Sequence, residues 1–226
     1  MGEADTGRAK HARRHGAWPS ALLCIALLLA LACGLNRWTH GFEVWTFEGR
    51  RELQWRAGEL RAQPVDLRDS NERAPRLWGE QEGASAAYLV DFVYLRCASV
   101  CRALGSEFQR LQRELAAAPP GPPVRLVSIS FDVAHDDAGA LARYAAEQRA
   151  DARLWTLAVP RSADDAQTLL RSLGVIVVPD GEGGYAHNGD IHLLDARGTL
   201  RGVFTLAQAE EALQAARRLA GVGQAR

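Results

Sequence analysis

From Gly16 to Asn36 the chain carries no charged residue, and Ala21 to Leu35 is almost wholly apolar. A run of about 20 residues makes a helix of roughly 30 Å, which matches the hydrocarbon core of a bilayer. Arg8, Lys10, Arg13 and Arg14 precede it, and Arg37 alone follows closely. The positive-inside rule then places the tail in the cytoplasm and everything after Arg37 outside. A cleaved signal peptide is the alternative, with Ala30-Leu31-Ala32 as a cleavage site and Leu31-Ala32-Cys33 loosely resembling a lipoprotein signal. Either reading exports the rest of the chain to a compartment where disulfides persist.

Beyond this run the pattern changes to short alternating elements. Trp38, Phe42 and Trp45 recur at helical spacing and predict an interfacial or linker helix. A domain boundary is expected near Gln63-Pro64. Val65–Asp69 alternates as a short strand, and Ser70–Arg73 reads as a turn. Tyr88–Leu95 and Val124–Phe131 read as buried strands. Arg102–Ala117 has helical periodicity, with Leu104, Phe108, Leu111 and Leu115 on one face. The prolines from Pro119 to Pro123 end that helix. Asp137–Arg149 predicts a helix, Trp155–Val159 a short edge strand, and Ala163–Leu173 a helix closed by Gly174. Val175–Val178 is short and β-branched. A Gly-rich loop, Asp180–Gly189, carries His187. Ile191–Leu194 and Leu200–Phe204 form a hairpin around Asp195–Gly198, and Leu206–Ala220 is the last helix. Strand-helix-strand-helix, then a hairpin and a helix, is a thioredoxin-like α/β order.

Net charge is zero and both signs are interspersed. A nucleic-acid surface, which needs a clustered basic stripe, is therefore not expected. Of four cysteines, Cys24 and Cys33 lie in the apolar run, where a thiol behaves as a small hydrophobe. Only Cys97 and Cys101 belong to the exported part. A single closely spaced pair is no disulfide framework, so it reads as a site.

The pair stands where a buried strand gives way to a helix. Unsatisfied N–H groups and about half a positive charge at a helix N-terminus stabilise thiolate. Arg96 and Arg102 flank the pair and are expected to add to this. Cys101 follows Cys97 by one helical turn, so the two sulfurs can close a disulfide or share an ion. With a distant imidazole, two thiolates suit three-coordinate Cu(I). A water or carboxylate as fourth ligand would suit Cu(II). Structural zinc normally takes a fourth protein ligand, and none stands ready. A redox dithiol and a plain structural disulfide remain the alternatives. A lone histidine in a Gly-rich loop is by itself usually a solvated residue. His192 reads as a packed or edge residue, His135 has no evident partner, and Asp132 is expected to cap the next helix, with orienting a ligand as the alternative.

Asp91-Phe92-Val93-Tyr94, then Cys97-x-x-x-Cys101 and a helix, resembles the SCO/SenC family of copper-binding proteins. Ser128–Asp132 is similar to that family's central strand ending in Asp, and His187 stands eight residues before Asp195, as the family's copper histidine does. The resemblance spans roughly Gln63 to Leu219. It differs after each cysteine, where Ala98 and Arg102 stand in place of the family's prolines, and after the histidine, where Asn188 replaces Ser or Thr. It implies a copper ion, Cu(I) or Cu(II), bound by Cys97, Cys101 and His187, and a thioredoxin-like fold behind an N-terminal transmembrane helix. The expected organisation is a cytoplasmic tail over 1–16, an anchor over 17–36, a juxtamembrane linker over 37–62 and the copper-binding domain over 63–222. The expected place is a bacterial inner membrane, with the domain in the periplasm. The implied role is a copper chaperone for the copper-site subunit of a haem-copper oxidase. Its further partners would be another periplasmic copper chaperone or a thiol reductant. The alternative is a thiol-disulfide oxidoreductase, with Cys97 attacking and Cys101 resolving.

Overall fold

Seven consecutive residues, Ala87–Val93, form β2, and all but Tyr88 are buried. A strand buried on both faces belongs in the middle of a sheet covered on both sides. In the computed structural model β2 pairs in parallel with β3 (Val124–Ser130) and antiparallel with β7 (Ile191–Asp195). The sheet has six strands in the order β1-β4-β3-β2-β7-β8, where β1 is Leu67–Arg68, β4 is Trp155–Pro160 and β8 is Leu200–Phe204. The structure describes residues 18–38, 47–75, 77–79, 86–97, 100–119, 123–187 and 189–224. The side chains of 47–48, 100–101 and 222–224 lie outside that description.

The chain divides into two units, one up to Arg50 and one from Arg51 onward. The first contains α1, Trp18–Trp38, whose 21 residues have a mean hydropathy of 2.2 over their most apolar stretch. It is long and apolar enough to cross a membrane. Phe42 and Trp45, read as continuing a helical aromatic pattern, lie outside the described residues.

The second unit has three layers. On one face of the sheet α3 (Val100–Ala117), α4 (Ala138–Gln148) and α6 (Ala209–Gln224) cover Leu89, Val93, Leu126, Trp155 and Leu193. Leu104, Phe108 and Leu111 of α3 are fully buried there, as their spacing predicts. Leu115 is only partly buried against the same cluster. On the other face α5 (Ala163–Ser172) joins Ala62, Leu67 and Leu77 over Val90, Phe92, Val127 and Ile129. A short helix, α2 (Phe47–Arg56), lies at the start of the unit, and its Arg51 is buried. Packing therefore reaches upstream of Gln63: Arg61 bridges to Thr199, and Ala62 N–H donates to Gly198.

Several elements differ from the sequence expectation. β4 is not the edge, because β1 pairs outside it through Leu67 with Pro160 and Arg68 with Val159. Trp155 at its start is buried, and its indole N–H donates to Ser128 Oγ at 2.9 Å. The strand expected over Val65–Asp69 contracts to two residues, since Asp69 Oδ1 turns back to accept from the Asn71 and Arg73 N–H groups. The last helix opens as a 3-10 turn over Leu206–Gln208.

The cap of α4 is Asp137, whose carboxylate accepts from Ala140 N–H at 2.7 Å. Asp132 has a different role, described below. Replacing Asp137 with Ala is expected to lower stability by about 1 kcal/mol, the usual worth of an N-cap. A urea titration of the two proteins measures this.

Candidate metal centre

β2 and β3 end side by side, and each contributes an aromatic ring just past its last residue. Tyr94 and Phe131 lie with ring centroids 5.7 Å apart. Two residues of the strand β6 (Tyr185–His187) close over them. Tyr185 meets Tyr94 and Phe131 edge-on, each at 5.3 Å. The His187 imidazole meets Phe131 at 5.2 Å and Tyr94 at 6.1 Å, again edge-on. Such arrangements match the positive edge of one ring to the negative face of the next.

His187 is therefore not in a loop, as its Gly-rich neighbourhood had implied. It ends β6 and pairs with Val177 of β5 (Val177–Pro179) in a two-stranded hairpin separate from the main sheet. The glycines serve the tip of that hairpin. Asp180 Oδ1 accepts from the Glu182 and Gly184 N–H groups, and Gly181 and Gly183 take positive φ of 82° and 88°. Gly184 lies so close to Tyr94 that a Cβ there would come 3.1 Å from the phenolic oxygen.

Cys97 sits one turn beyond Tyr94, with its N–H donating to Tyr94 O at 3.1 Å. It is half-buried and packs against the core on the α3 side. The same tyrosine thus carries the cysteine turn on its backbone and the histidine on its ring. Cys101 lies in the first turn of α3, as expected, while its side chain is outside the described residues.

A polar cluster borders the turn. Arg96 Nη2 donates to Asp132 Oδ2 at 2.8 Å and lies 3.1 Å from His135 Nδ1. That nitrogen is 2.8 Å from the other carboxylate oxygen of Asp132. Arg96 also reaches Gly183 O at 3.4 Å, which ties the cysteine turn to the hairpin tip. Burial works to raise the Asp132 pKa, but hydrogen bonds from Arg96 and His135 outweigh it and hold the carboxyl below its usual value. Asp132 is thus an anchor for Arg96 and His135 rather than a helix cap. Arg96, expected to lend its charge to the thiols, is bonded to a carboxylate instead.

Asp136 supports the turn from beneath. It is buried, and Oδ2 accepts from Ser130 Oγ at 2.6 Å and from Leu95 N–H at 2.9 Å. Burial raises its pKa, opposed by those two bonds. Asp91 lies deeper, between Leu89 and Val93 on the α3 face of β2. It is fully buried, and among the described residues neither carboxylate oxygen meets a partner at bonding geometry. Burial pushes its pKa up to about 7 against the lowering influence of the Ser128 hydroxyl and of its own backbone. The sequence did carry a signal for this residue, as the one charge inside the apolar run Tyr88–Leu95. For Asp136 and the Tyr94–Phe131–Tyr185 cluster it carried none, because only the fold brings them together.

The donor chemistry fits a soft ion: a half-buried thiol and, at the same end of the sheet, an imidazole set edge-on to two aromatic rings. The fold is a thioredoxin-like sheet with two cysteines at a strand-to-helix junction and a histidine hairpin at the same end. The SCO1/SenC pattern matches residues 69–221, so the chain belongs to the SCO1/SenC family. No curated protein matches the chain significantly. Among solved structures it is similar to a SCO1/SenC family lipoprotein from Bacillus anthracis, with a TM-score of 0.62 and 19% identity over 71% of this chain and 95% of that one. It is also similar to BsSco, a member of the Sco family of cytochrome c oxidase assembly proteins in which a disulfide switch was identified (TM-score 0.60, 17% identity, 71% and 94% covered). Bradyrhizobium japonicum ScoI with copper bound gives a TM-score of 0.55 at 23% identity, covering 70% of this chain and 98% of that one. At these identities the likenesses establish the thioredoxin-like fold.

Proposed function

We propose that this chain is a membrane-anchored copper-binding protein of the periplasm, holding one copper ion through Cys97, Cys101 and His187. The observation that carries the reading is Tyr94, which joins the cysteine turn and the histidine hairpin at one end of the sheet. Family membership and the copper-bound structure it resembles support the choice of ion. Copper is the cargo. Two sulfurs and one imidazole leave a low-coordinate ion that an incoming donor can join before His187 leaves. The proposed recipient is the copper-site subunit of a haem-copper oxidase at a bacterial inner membrane. Another periplasmic copper chaperone would load the site, or a thiol reductant would keep it reduced. In this arrangement α1 serves as a single-pass anchor and the unit beyond it faces the periplasm.

A second reading has one observation in its favour, namely the position of both cysteines at the strand-to-helix junction. There Cys97 would attack a partner disulfide and Cys101 would release the product. His187 has no part in that chemistry, which separates the two readings. The test is copper titration of the reduced protein from Thr39 onward, beside its His187→Ala variant. One copper per chain is expected, with binding in the variant weaker by more than the roughly 10–100-fold that outer-shell changes cost. Equal binding by both proteins would remove the three-ligand site and leave the dithiol.

A further inference from the structure

Among the described residues, the hairpin that carries His187 pairs with no strand of the main sheet, β5 and β6 pairing with each other. The chain leaves α5 at Leu173-Gly174, passes the buried Val175 into β5 and β6, and returns at Asp190 to enter β7. The aromatic cluster holds the far end of this excursion. At its base Val175 is buried, its N–H donating to Leu170 O at 2.9 Å, and one side chain from another part of the sequence bridges the two ends.

That side chain is Arg51 of α2, only 3% exposed. Its Nε donates to Leu173 O at 3.3 Å, where the excursion begins. Nη1 reaches Asp190 Oδ2 at 3.5 Å, and Nη2 lies 2.5 Å from His192 Nε2, both where the excursion ends. The aliphatic stem lies flat over Gly174, where a Cβ would meet Cγ, Cδ and Nε at 3.1–3.2 Å. Gly174 also takes φ of +65°, so glycine answers both the turn and the passage of the arginine. His192, fully buried and edge-on to Phe92 at 5.3 Å, gives the guanidinium a fixed acceptor. The planar fork of arginine suits such a three-point bridge, which a point charge cannot span.

We infer that Arg51 is a positioning residue for His187: its guanidinium clasps the entry and exit of the hairpin arm and so fixes where the arm presents its imidazole. The inference rests on the three-ligand reading above. The arm's base is thereby fastened to a residue only a short way along the chain from the apolar helix α1. Without the clasp the entry and exit of the arm lose this cross-link and are held only by their own packing. The imidazole then spends less time over the cysteine turn, and its effective concentration there falls.

The test uses the full chain in detergent micelles, as wild type, Arg51→Met, Arg51→Lys, His187→Ala and the Arg51→Met/His187→Ala double variant. Copper(II) affinity is read by chelator competition, the copper environment by its thiolate charge-transfer absorption, and the cysteine pair by its reduction potential. Arg51→Met is expected to weaken copper about 10–100-fold, the usual cost of losing an outer-shell support. Its absorption should shift toward that of His187→Ala, while the reduction potential stays at the wild-type value. Arg51→Lys, which keeps stem and charge but not the fork, should fall between. In the His187→Ala background, Arg51→Met should cost nothing further.

Wild-type affinity in Arg51→Met would overturn the inference, as would an equal loss in both backgrounds. Should Arg51→Met fail to fold, Arg51→Lys carries the test, and wild-type copper binding in that variant overturns the inference. If His187→Ala itself binds copper like wild type, it is the three-ligand reading that fails, and the clasp falls with it.

Discussion

Asp91→Asn is expected to be more stable than wild type by about 4 kcal/mol at pH 7 and above, and the gain should vanish near pH 4. The wild-type carboxyl is fully buried, and that burial pushes its pKa up to about 7 from an ordinary 3.8 against the weaker influence of the Ser128 hydroxyl. The native state thus keeps its proton over a range where the unfolded chain has already released it. Its stabilising contribution is complete below pH 3.8 and is lost as pH rises through 7. Asparagine has nearly the same shape and no proton to lose. The difference between the two proteins should therefore grow at about 1.4 kcal/mol per pH unit across that window.

His192 acts in the opposite sense. Burial, aided by the charge of Arg51, lowers its pKa to about 3 from 6.5. The unfolded chain takes up this proton first, so the contribution present above pH 6.5 is lost as pH falls toward 3. Between about pH 4 and 6.5 the slopes from these two groups oppose and largely cancel each other. Asp91→Asn removes one slope and uncovers the other. Urea midpoints from pH 4 to 8 for both proteins decide the matter, and a pH-independent difference would refute the assignment to Asp91.

Asp136→Ala is expected to cost about 2–4 kcal/mol, because it leaves two donors without a partner in a buried place. These are Ser130 Oγ and the Leu95 N–H, two residues before Cys97. Asp136→Asn keeps one acceptor oxygen and should cost about half as much. Beyond global stability, the loss should be local to the cysteine turn. Hydrogen exchange of the Leu95 amide should quicken more than that of Leu126, which donates to Leu154 O far from Asp136. Equal quickening at both amides would show that Asp136 merely supports the fold as a whole.

Much of this architecture could be read from residue order. Apolar spacing located α3 and its buried Leu104, Phe108 and Leu111, because a helix repeats its face every three or four residues whatever lies opposite. The run Tyr88–Leu95, apolar but for Asp91, located a buried strand for the same kind of reason. Cysteine spacing and the strand-to-helix change located the thiols. Edge status could not be read for β4, since it depends on whether another segment pairs alongside, and β1 is only two residues long. Asp132 and Asp137 carry the same carboxyl, and only backbone direction made one a cap and the other the partner of Arg96.

The sequence by itself determined the periodic elements, the apolar N-terminal helix and the chemical types at Cys97, Cys101 and His187, all of which follow from local pattern and functional groups. The tertiary structure alone decided what surrounds them. Tyr94, Phe131 and Tyr185 meet only because β2 and β3 end at the same level and the hairpin folds over them. Arg51 meets Asp190 and His192 across some 140 residues of chain. Residues so far apart leave no periodic trace, because their contact depends on how layers stack rather than on how any one segment winds.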